Sequence, residues 1–344
     1  MKFLYIKGLK NHGVALQQLI LKTIFQLYFM YFEIDNRGNI ITGTTLILIV
    51  SLVLMVIFII NSINYMANEN INSSSSDNFR YIIHDYKDNL GQHGKDSLAE
   101  ETEKVYFSKI VHDSRNDVKK ILNKKLKGVN EEYKQKYGID IRSEVISVES
   151  TDSPWKVLFK VRVKADKDSE QFNGIVESNC SIEGLKDPLP YAKLPKIYYN
   201  INNDGKKIHY FEGLAQYLRA HNIKSYNSYL LATSPLYIKK CPYDPYIHHG
   251  DGNTLKDCLK QGYFHESADG SCYLCRIEGK GVCPHYGMEV FIQTHTPINN
   301  ESVSCSDHVV FHDHYTGEKL NKLDINSLIL DKSHASKYGL VHNG

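Results

Sequence analysis

The first long hydrophobic stretch of the chain lies between Gly38 and Asn68, where no residue carries a charge. Within it, residues 46–60 are apolar except for Ser51. A helix needs about 20 mostly apolar residues to span the hydrocarbon core of a bilayer. The pattern therefore predicts a transmembrane helix over residues 39–66. No second run of this kind follows in the sequence, which predicts a single-pass membrane protein.

Basic residues are distributed unevenly around this stretch. The first basic residue after it is Arg80, whereas five precede it: Lys2, Lys7, Lys10, Lys22 and Arg37. Cytoplasmic flanks of membrane spans carry the excess of Lys and Arg. We therefore expect a cytoplasmic N-terminus and an extracellular C-terminal part that includes residues 70–344.

A polar segment and then a helical pattern follow the span. Residues 67–78 are rich in Ser and Asn and lack apolar periodicity, so residues 67–96 are predicted to form a polar tether. From residue 97 to residue 137 the apolar positions recur at helical spacing: Val111, Val118, Leu122, Leu126 and Val129. Gly128 predicts a break in this helix, and Gly138 predicts its end.

Alternation of apolar and polar residues replaces the helical period after Gly138. Residues 139–150, 155–166 and 170–184 alternate in this way, with turn residues at 152–154 and 166–168 between them. This pattern predicts three antiparallel strands in a meander. Together with the preceding helix it predicts an α+β domain over residues 97–200, in which the helix covers one face of the sheet.

The remaining residues, 201–344, are predicted to form a loop-rich lobe that is dense in Cys and His. Residues 239–315 hold six of the seven cysteines and eight of the sixteen histidines. Thiols outside the cytoplasm tend to pair, and a loop-rich segment gains stability from covalent links. At least two disulfides are therefore predicted among six cysteines: Cys241, Cys258, Cys272, Cys275, Cys283 and Cys305. Cys180, on the third predicted strand, is expected to be a small buried residue.

A structural zinc site is the alternative for some of these cysteines. Cys272-x2-Cys275 followed by Cys283-x-His285 has the spacing of a zinc site with three cysteine ligands and one histidine ligand. A two-residue gap lets both thiolates reach one tetrahedral ion. The sequence thus leaves disulfides and a metal ion as competing interpretations of the same residues.

Composition and charge narrow the range of functions. Lys and Arg number 41 against 39 Asp and Glu, which are interspersed, so a nucleic-acid partner is not expected. Three Asn-x-Ser/Thr sequons, at Asn72, Asn179 and Asn300, are candidate glycosylation sites and agree with an extracellular location. The sequence has no HExxH, GxSxG or phosphate-loop signature. We therefore predict no enzymatic activity, and no cofactor other than a possible structural zinc.

Arg37 and Gly38 stand directly before the apolar run, and this step resembles the class III (prepilin-type) signal of archaeal type IV pilin-like proteins. The resemblance implies cleavage between Gly38 and Asn39, so residues 1–38 would be a leader or an over-extended gene start; a start at Met30 leaves nine leader residues. It also implies contact with other pilin-like subunits through the apolar helix. Gly43 occupies the position where subunits of a filament body usually carry Glu, which favours a minor-pilin or adhesin-type role.

A second stretch, residues 270–289, resembles a segment of methanogen membrane-anchored pilin-like proteins. The matching residues are Gly270, Ser271, Tyr273, Leu274, Arg276, Ile277, Glu278, Gly279, Tyr286, Gly287, Met288 and Glu289. The resemblance implies a surface protein and no catalytic role. The sequence as a whole therefore predicts a non-enzymatic cell-surface protein anchored by its N-terminal helix.

Two other classes of function remain as alternatives. One is a membrane-anchored extracytoplasmic metal-dependent enzyme that uses the cluster of His312 and His314, with Cys305 and His308 as further potential ligands. The other is a ligand-binding ectodomain. The enzyme requires several of these ligands to converge on one point beside an open cleft.

Overall fold

The computed structural model describes residues 40–107, 109–194, 200–201, 206–251, 253–294, 306–311 and 332–339. In the first helix, side chains are described at residues 50–63 and from residue 77 onward. The chain divides into two compact units, Met1–Ser75 and Ser76–Gly344. Helices combine with antiparallel sheets, which confirms the predicted α+β class.

The first helix, α1, spans Ile40–Tyr106 and is 67 residues long. It includes residues 67–96, so the predicted tether is helical. Five apolar side chains recur at helical spacing in its second half and are buried: Phe79, Ile82, Ile83, Tyr86 and Leu90. Burial of this apolar stripe stabilises the helix. The second compact unit accordingly begins at Ser76 rather than at residue 97.

Of the predicted transmembrane span at residues 39–66, the structure describes residues 40–66 as part of α1 and the side chains of residues 50–63. Among the residues that the structure describes, no helix is both long enough and apolar enough to cross a bilayer. The residues of the predicted processing step, Arg37, Gly38 and Asn39, lie outside the described part of the chain.

The second helix, α2, spans Ser114–Tyr137, so the predicted helix over residues 97–137 is interrupted by residues 109–113. The Asp113 carboxylate accepts a hydrogen bond from the backbone N–H of Asn116 at 3.0 Å and caps the new N-terminus. Gly138 ends the helix as predicted, with a left-handed φ of 69°. Gly128 does not break it, because an isolated glycine costs a helix only about 1 kcal/mol.

Three antiparallel strands follow in the order β1–β2–β3, which confirms the predicted meander. They span Asp140–Ser150, Lys156–Lys167 and Glu170–Ser181. Alternate side chains of β2 point into the core and are buried: Val157, Phe159, Val161, Val163 and Ala165. Helix α2 packs against β1, and α1 approaches β2 so closely that Gly94 lies against the Phe159 ring.

The rest of the described chain forms short elements. Strands β4, β5 and β6 form one small antiparallel sheet and span Asn200–Ile201, Lys207–His209 and Thr233–Pro235. Strands β7 and β8 form another and span Phe264–Ser267 and Gly287–Val290. The helices are α3 Leu189–Lys193, α4 Gly213–Ala220, α5 Thr254–Gln261, α6 Tyr273–Ile277, α7 Asp307–Val310 and α8 Lys332–Lys337. Two 3-10 helices span Lys224–Tyr229 and Tyr246–Gly250.

One hydrophobic core joins these short elements to the three-stranded sheet. Tyr273 and Leu274 of α6 belong to the same buried cluster as Phe159 of β2. The Tyr273 hydroxyl also lies 2.6 Å from the Thr102 hydroxyl of α1 in a buried hydrogen bond. The predicted α+β domain and the predicted Cys/His-rich lobe therefore form one compact unit.

A buried arginine links three distant segments of this unit. Arg276 of α6 is fully buried and donates two hydrogen bonds to the Asp187 carboxylate, at 2.8 and 2.6 Å. Its guanidinium also pairs with Asp307 at the start of α7. Bidentate pairing satisfies both the geometry and the charge of a buried guanidinium.

Candidate metal centres

The four residues predicted as an alternative zinc site converge in the structure. Cys272 immediately precedes α6 and Cys275 lies on its first turn, so the two thiols face the same side. Cys283 and His285 come from the loop between α6 and β8. The ligand atoms of these four residues all lie within 4.8 Å of one another. We refer to this set as the three-cysteine cluster.

The distances within the three-cysteine cluster match those around a tetrahedral zinc ion. The His285 Nδ1 atom lies 3.7 Å from Cys272 Sγ and 3.6 Å from Cys275 Sγ. Zinc–ligand bonds of about 2.0 to 2.3 Å place neighbouring ligand atoms about 3.3 to 3.8 Å apart. Cys272 and Cys275 are buried, whereas Cys283 and His285 are partly exposed.

Hydrogen bonds from a serine hydroxyl and from a backbone N–H orient the sulfur atoms of the three-cysteine cluster. The Ser150 hydroxyl at the end of β1 donates to Cys272 Sγ at 3.1 Å, and the backbone N–H of Cys272 donates to Cys283 Sγ at 3.3 Å. Such donors to ligand atoms fix their orientation and favour the thiolate form. The contact with Ser150 also connects the cluster to the three-stranded sheet.

A second set of four ligands, which the sequence analysis did not identify, lies elsewhere in the same unit. It consists of Cys241, His249, Cys258 and His265, and we refer to it as the two-cysteine cluster. Cys241 follows β6, His249 lies in the 3-10 helix at residues 246–250, Cys258 lies on α5 and His265 lies on β7. All four residues are exposed by 1% or less.

The two-cysteine cluster is a compact tetrahedron of donor atoms. The two sulfur atoms lie 3.5 Å apart, and Cys241 Sγ lies 3.4 Å from His249 Nε2. His265 Nε2 lies 3.1 Å from His249 Nε2 and 2.9 Å from Cys258 Sγ. These edges are slightly shorter than those around a zinc ion, so an ion fits after small outward shifts of the side chains.

Contacts around the two-cysteine cluster select the ligand nitrogen and exclude water. His249 Nδ1 lies 2.7 Å from the Tyr246 carbonyl oxygen, to which it donates, so its Nε2 keeps a lone pair for a metal. Aromatic rings of Tyr246, Tyr338 and Phe291 pack around His265 with centroid distances of 5.1 to 5.5 Å. The donor atoms therefore face one another in a dry interior.

The thiols of both clusters perturb one another's pKa values. A hydrogen bond from the Cys258 thiol, supported by His249 and opposed by burial, lowers the pKa of the Cys241 thiol. Hydrogen bonds from the thiols of Cys275 and Cys283 lower the pKa of the Cys272 thiol, again against the effect of burial. In each cluster, hydrogen bonds between neighbouring sulfur atoms therefore favour a thiolate, the form that binds a metal ion.

The predicted disulfides do not occur among the cysteines that the structure describes. The six described cysteines, Cys180, Cys241, Cys258, Cys272, Cys275 and Cys283, are all unbonded. A disulfide places its sulfur atoms about 2.05 Å apart, well below the 3.5 Å between Cys241 and Cys258. Disulfides remain a prediction that only a thiol count tests. Cys180 is 2% exposed on β3, as expected for a small buried residue.

Most of the other predicted site residues lie outside the part of the chain that the structure describes. Cys305, His312, His314 and Asn300 fall outside the described residues, and so does the side chain of Asn72. Asn179 lies at an exposed position of β3.

His308 joins a third group of potential ligands. It lies with Glu289 and His334, and their ligand atoms are all within 4.8 Å of one another. All three residues are buried. We refer to this set as the carboxylate cluster.

The spacing of the ligands along the chain explains why the sequence predicted the three-cysteine cluster but not the two-cysteine cluster. The three-cysteine cluster contains two short gaps, of two residues and of one residue. The two-cysteine cluster has gaps of seven, eight and six residues, which match no common zinc pattern. The doublet His248–His249, which follows Cys241 by seven residues, is the nearest sequence signal of it; the structure exposes His248 and buries His249.

Comparison with known proteins adds no family to this description. No protein-family model matches the chain, and neither a curated protein nor a solved structure is significantly similar to it.

Proposed function

We propose that this chain is a non-enzymatic cell-surface protein, anchored in the membrane by residues 39–66, whose extracellular part is held together by two structural zinc ions. The observation that carries the zinc part of the proposal is the convergence of two separate sets of four Cys and His ligands. The first ion binds Cys272, Cys275, Cys283 and His285. The second binds Cys241, His249, Cys258 and His265.

The ligand sets favour a structural rather than a catalytic role. Structural zinc sites are closed by four protein ligands, whereas catalytic sites keep one position for water or substrate. Both clusters supply four ligands, and the two-cysteine cluster is inaccessible to solvent. Tetrahedral sets of sulfur and nitrogen donors are also those that zinc prefers over other common ions.

Metal binding accounts for residues that disulfides would leave unexplained. A disulfide between Cys241 and Cys258 leaves His249 and His265 as buried imidazoles 3.1 Å apart without a reason to converge. A zinc ion uses all four donors at once. It also contributes free energy of folding directly, which a lobe built of short helices and short strand pairings needs.

The membrane anchor rests on the composition of residues 39–66 and on the part of α1 that it occupies. Large apolar side chains there are exposed, with values of 64% for Leu52, 65% for Met55 and 72% for Phe58. Apolar helix surfaces of this kind need lipid or protein around them. The Lys and Arg excess before the span favours a cytoplasmic N-terminus.

A pilin-like role is supported by the processing step and the apolar helix together. Cleavage after Gly38 would make this helix the new N-terminus, available to pack against other pilin-like subunits. Gly43, which replaces the usual Glu, supports a minor-pilin or adhesin-type subunit rather than a filament body. A metal-dependent enzyme or ligand-binding ectodomain is the competing proposal.

Metal analysis of variants tests the zinc proposal. The full chain is purified in detergent without a tag, and bound zinc is measured by mass spectrometry for Cys258→Ser, Cys275→Ser and the control Cys180→Ala. Each of the first two variants is expected to lose one zinc per chain, and the control none. Denatured wild-type protein should also show seven free thiols without reductant. Two disulfides would leave three, and that count without bound zinc contradicts the proposal.

The anchor and the processing step have their own test. We expect N-terminal sequencing of the native protein to begin at Asn39, and the protein to co-purify with filaments sheared from the cell surface. A mature chain that retains residues 1–38 would be an uncleaved membrane anchor. Recovery as a dispersed membrane monomer, absent from sheared filaments, would contradict the pilin-like role.

A further inference from the structure

The carboxylate cluster is built around one oxygen of Glu289. Its Oε2 atom lies 2.7 Å from His308 Nε2 and 3.1 Å from His334 Nε2. The two imidazole nitrogens lie 3.3 Å from each other. Three elements that are distant in sequence, β8, α7 and α8, supply these atoms.

These distances approach the edges of a metal coordination sphere. Bonds of about 2.0 to 2.2 Å from zinc to imidazole nitrogen and carboxylate oxygen place ligand atoms about 3.3 Å apart. The observed distances are at or slightly below that value. Glu289, His308 and His334 are exposed by 0%, 3% and 6%, so the donor atoms face one another away from bulk water.

The second oxygen of Glu289 is held by groups that orient the first. Lys337 Nζ donates to Oε1 at 2.6 Å, and the Tyr338 hydroxyl donates to it at 2.5 Å. Carboxylate ligands of metal ions are commonly oriented by such hydrogen bonds on the non-ligating oxygen. Glu289 is therefore arranged to bind through Oε2 alone.

The charge of the surroundings also suits a cation. Three buried carboxylates, those of Glu289, Asp187 and Asp307, pair with only two cationic groups, Arg276 and Lys337, in the described part of the chain. Without metal, either both imidazoles point a proton at the same oxygen or one nitrogen shares the other's proton, with the two nitrogens 3.3 Å apart. One divalent ion replaces both protons and uses all three lone pairs.

We propose that Glu289, His308 and His334 bind a divalent metal ion through three ligands and leave a coordination position for water or a small ligand. Sets of two His and one carboxylate are typical of zinc sites with such an open position. The Ser306 hydroxyl lies 3.3 Å from His308 Nε2 and can hydrogen-bond a molecule in that position. This site differs in kind from the two closed clusters and does not depend on them.

Cobalt titration of the untagged full chain in detergent, after removal of its native metal, tests the proposal. Cobalt bound by thiolates gives an intense charge-transfer absorption, whereas cobalt bound only by nitrogen and oxygen gives weak ligand-field bands. We expect the thiolate absorption to saturate at two equivalents and a third equivalent to bind without increasing it. Saturation of all binding at two equivalents would overturn the proposal. Absence of the thiolate absorption would instead contradict the two Cys-containing centres.

Substitutions assign the third equivalent to its ligands. His308→Ala and Glu289→Gln are each expected to bind one equivalent less than wild type with an unchanged thiolate absorption. His248→Ala, which removes an exposed histidine outside the three clusters, is the matched control and should keep all three. Three equivalents in both ligand variants would overturn the assignment. The wild-type titration remains decisive if a variant does not fold.

Discussion

Gly94 illustrates how a single absent side chain sets the distance between two elements. A Cβ atom at this position would lie 2.7 Å from Cε2 of the Phe159 ring, closer than carbon atoms approach in proteins. Gly128 is also in the middle of a helix, but a Cβ atom there meets no atom within 4 Å. The absence of a side chain is therefore required for packing at Gly94 but not at Gly128, although both residues lie within helices.

Alanine at these two positions is expected to change stability in opposite directions. Gly94→Ala should lower the free energy of unfolding by about 1 to 3 kcal/mol, because overpacking outweighs the gain in helix propensity. Gly128→Ala should raise it by up to about 1 kcal/mol. Urea unfolding followed by fluorescence of Trp155, the only tryptophan and a buried one, measures both. Stabilisation by Gly94→Ala would show that α1 does not approach β2 in this way.

Arg276 takes its structural role from partners that are distant in the sequence. Its carboxylate partner Asp187 lies 89 residues away. Arg162, by contrast, pairs with Glu144 at 3.0 Å on the surface of the sheet. Removal of a partner from a buried pair leaves an uncompensated charge, whereas an exposed pair is solvated.

Methionine substitutions of the two arginines should distinguish the buried ion pair from the exposed one. Arg276→Met is expected to cost about 3 to 5 kcal/mol of unfolding free energy, since Asp187 and Asp307 remain buried without their cation. Arg162→Met should cost at most about 1 kcal/mol. The same urea unfolding assay compares them. Similar small losses in both variants would mean that the Arg276 network is hydrated in solution.

At the scale of elements, the second half of α1 is where sequence pattern and structure disagree. Residues 67–78 are polar, and this composition favoured a tether over the whole segment to residue 96. The buried stripe from Phe79 to Leu90 instead packs with the core. Packing of an amphipathic face decides helix formation more than composition does.

A proline in this segment distinguishes a packed helix from a tether. Gln92 is exposed, and its side chain bonds Asp96 at 2.8 Å. Gln92→Pro should cost about 3 kcal/mol or more, because it removes a helical hydrogen bond and clashes with the preceding turn. Gln92→Ala, as control, should stay within about 0.5 kcal/mol of wild type. A tolerated proline, measured by thermal unfolding, would restore the tether interpretation.

At the scale of the whole molecule, the proposed metal centres and the sheet belong to one core. Ser150 of β1 bonds Cys272, and Tyr273 of α6 bonds Thr102 of α1. Glu278, which follows α6, accepts hydrogen bonds from the backbone N–H and hydroxyl of Ser114 at the start of α2. Loss of metal should therefore affect parts of the chain that contain no ligand.

Metal removal is expected to loosen the sheet as well as the ligand loops. After treatment with a zinc chelator, hydrogen exchange should become faster at the β1 end near Ser150 and at the start of α2, in addition to residues 241–290. Readdition of zinc should restore slow exchange in all of these segments. Faster exchange confined to residues 241–290 would show that the lobe folds independently of the α+β part.

The sequence by itself determined the features that depend on neighbouring residues. The three strands, their turns and the helix end at Gly138 follow from alternation and turn chemistry over a few positions. The set of Cys272, Cys275, Cys283 and His285 was also recognisable, because its short gaps allow the ligands to meet without knowledge of the chain path.

Only the tertiary structure decided the features that join distant segments. The two-cysteine cluster is assembled from a loop, a 3-10 helix, α5 and β7, and its gaps carry no pattern. His308 meets Glu289 across 19 residues and His334 across 26. Local sequence does not encode which distant side chains meet. The packing of the core decides which of them meet, because a polar group that is buried away from water must pair with a polar group that packing brings within reach.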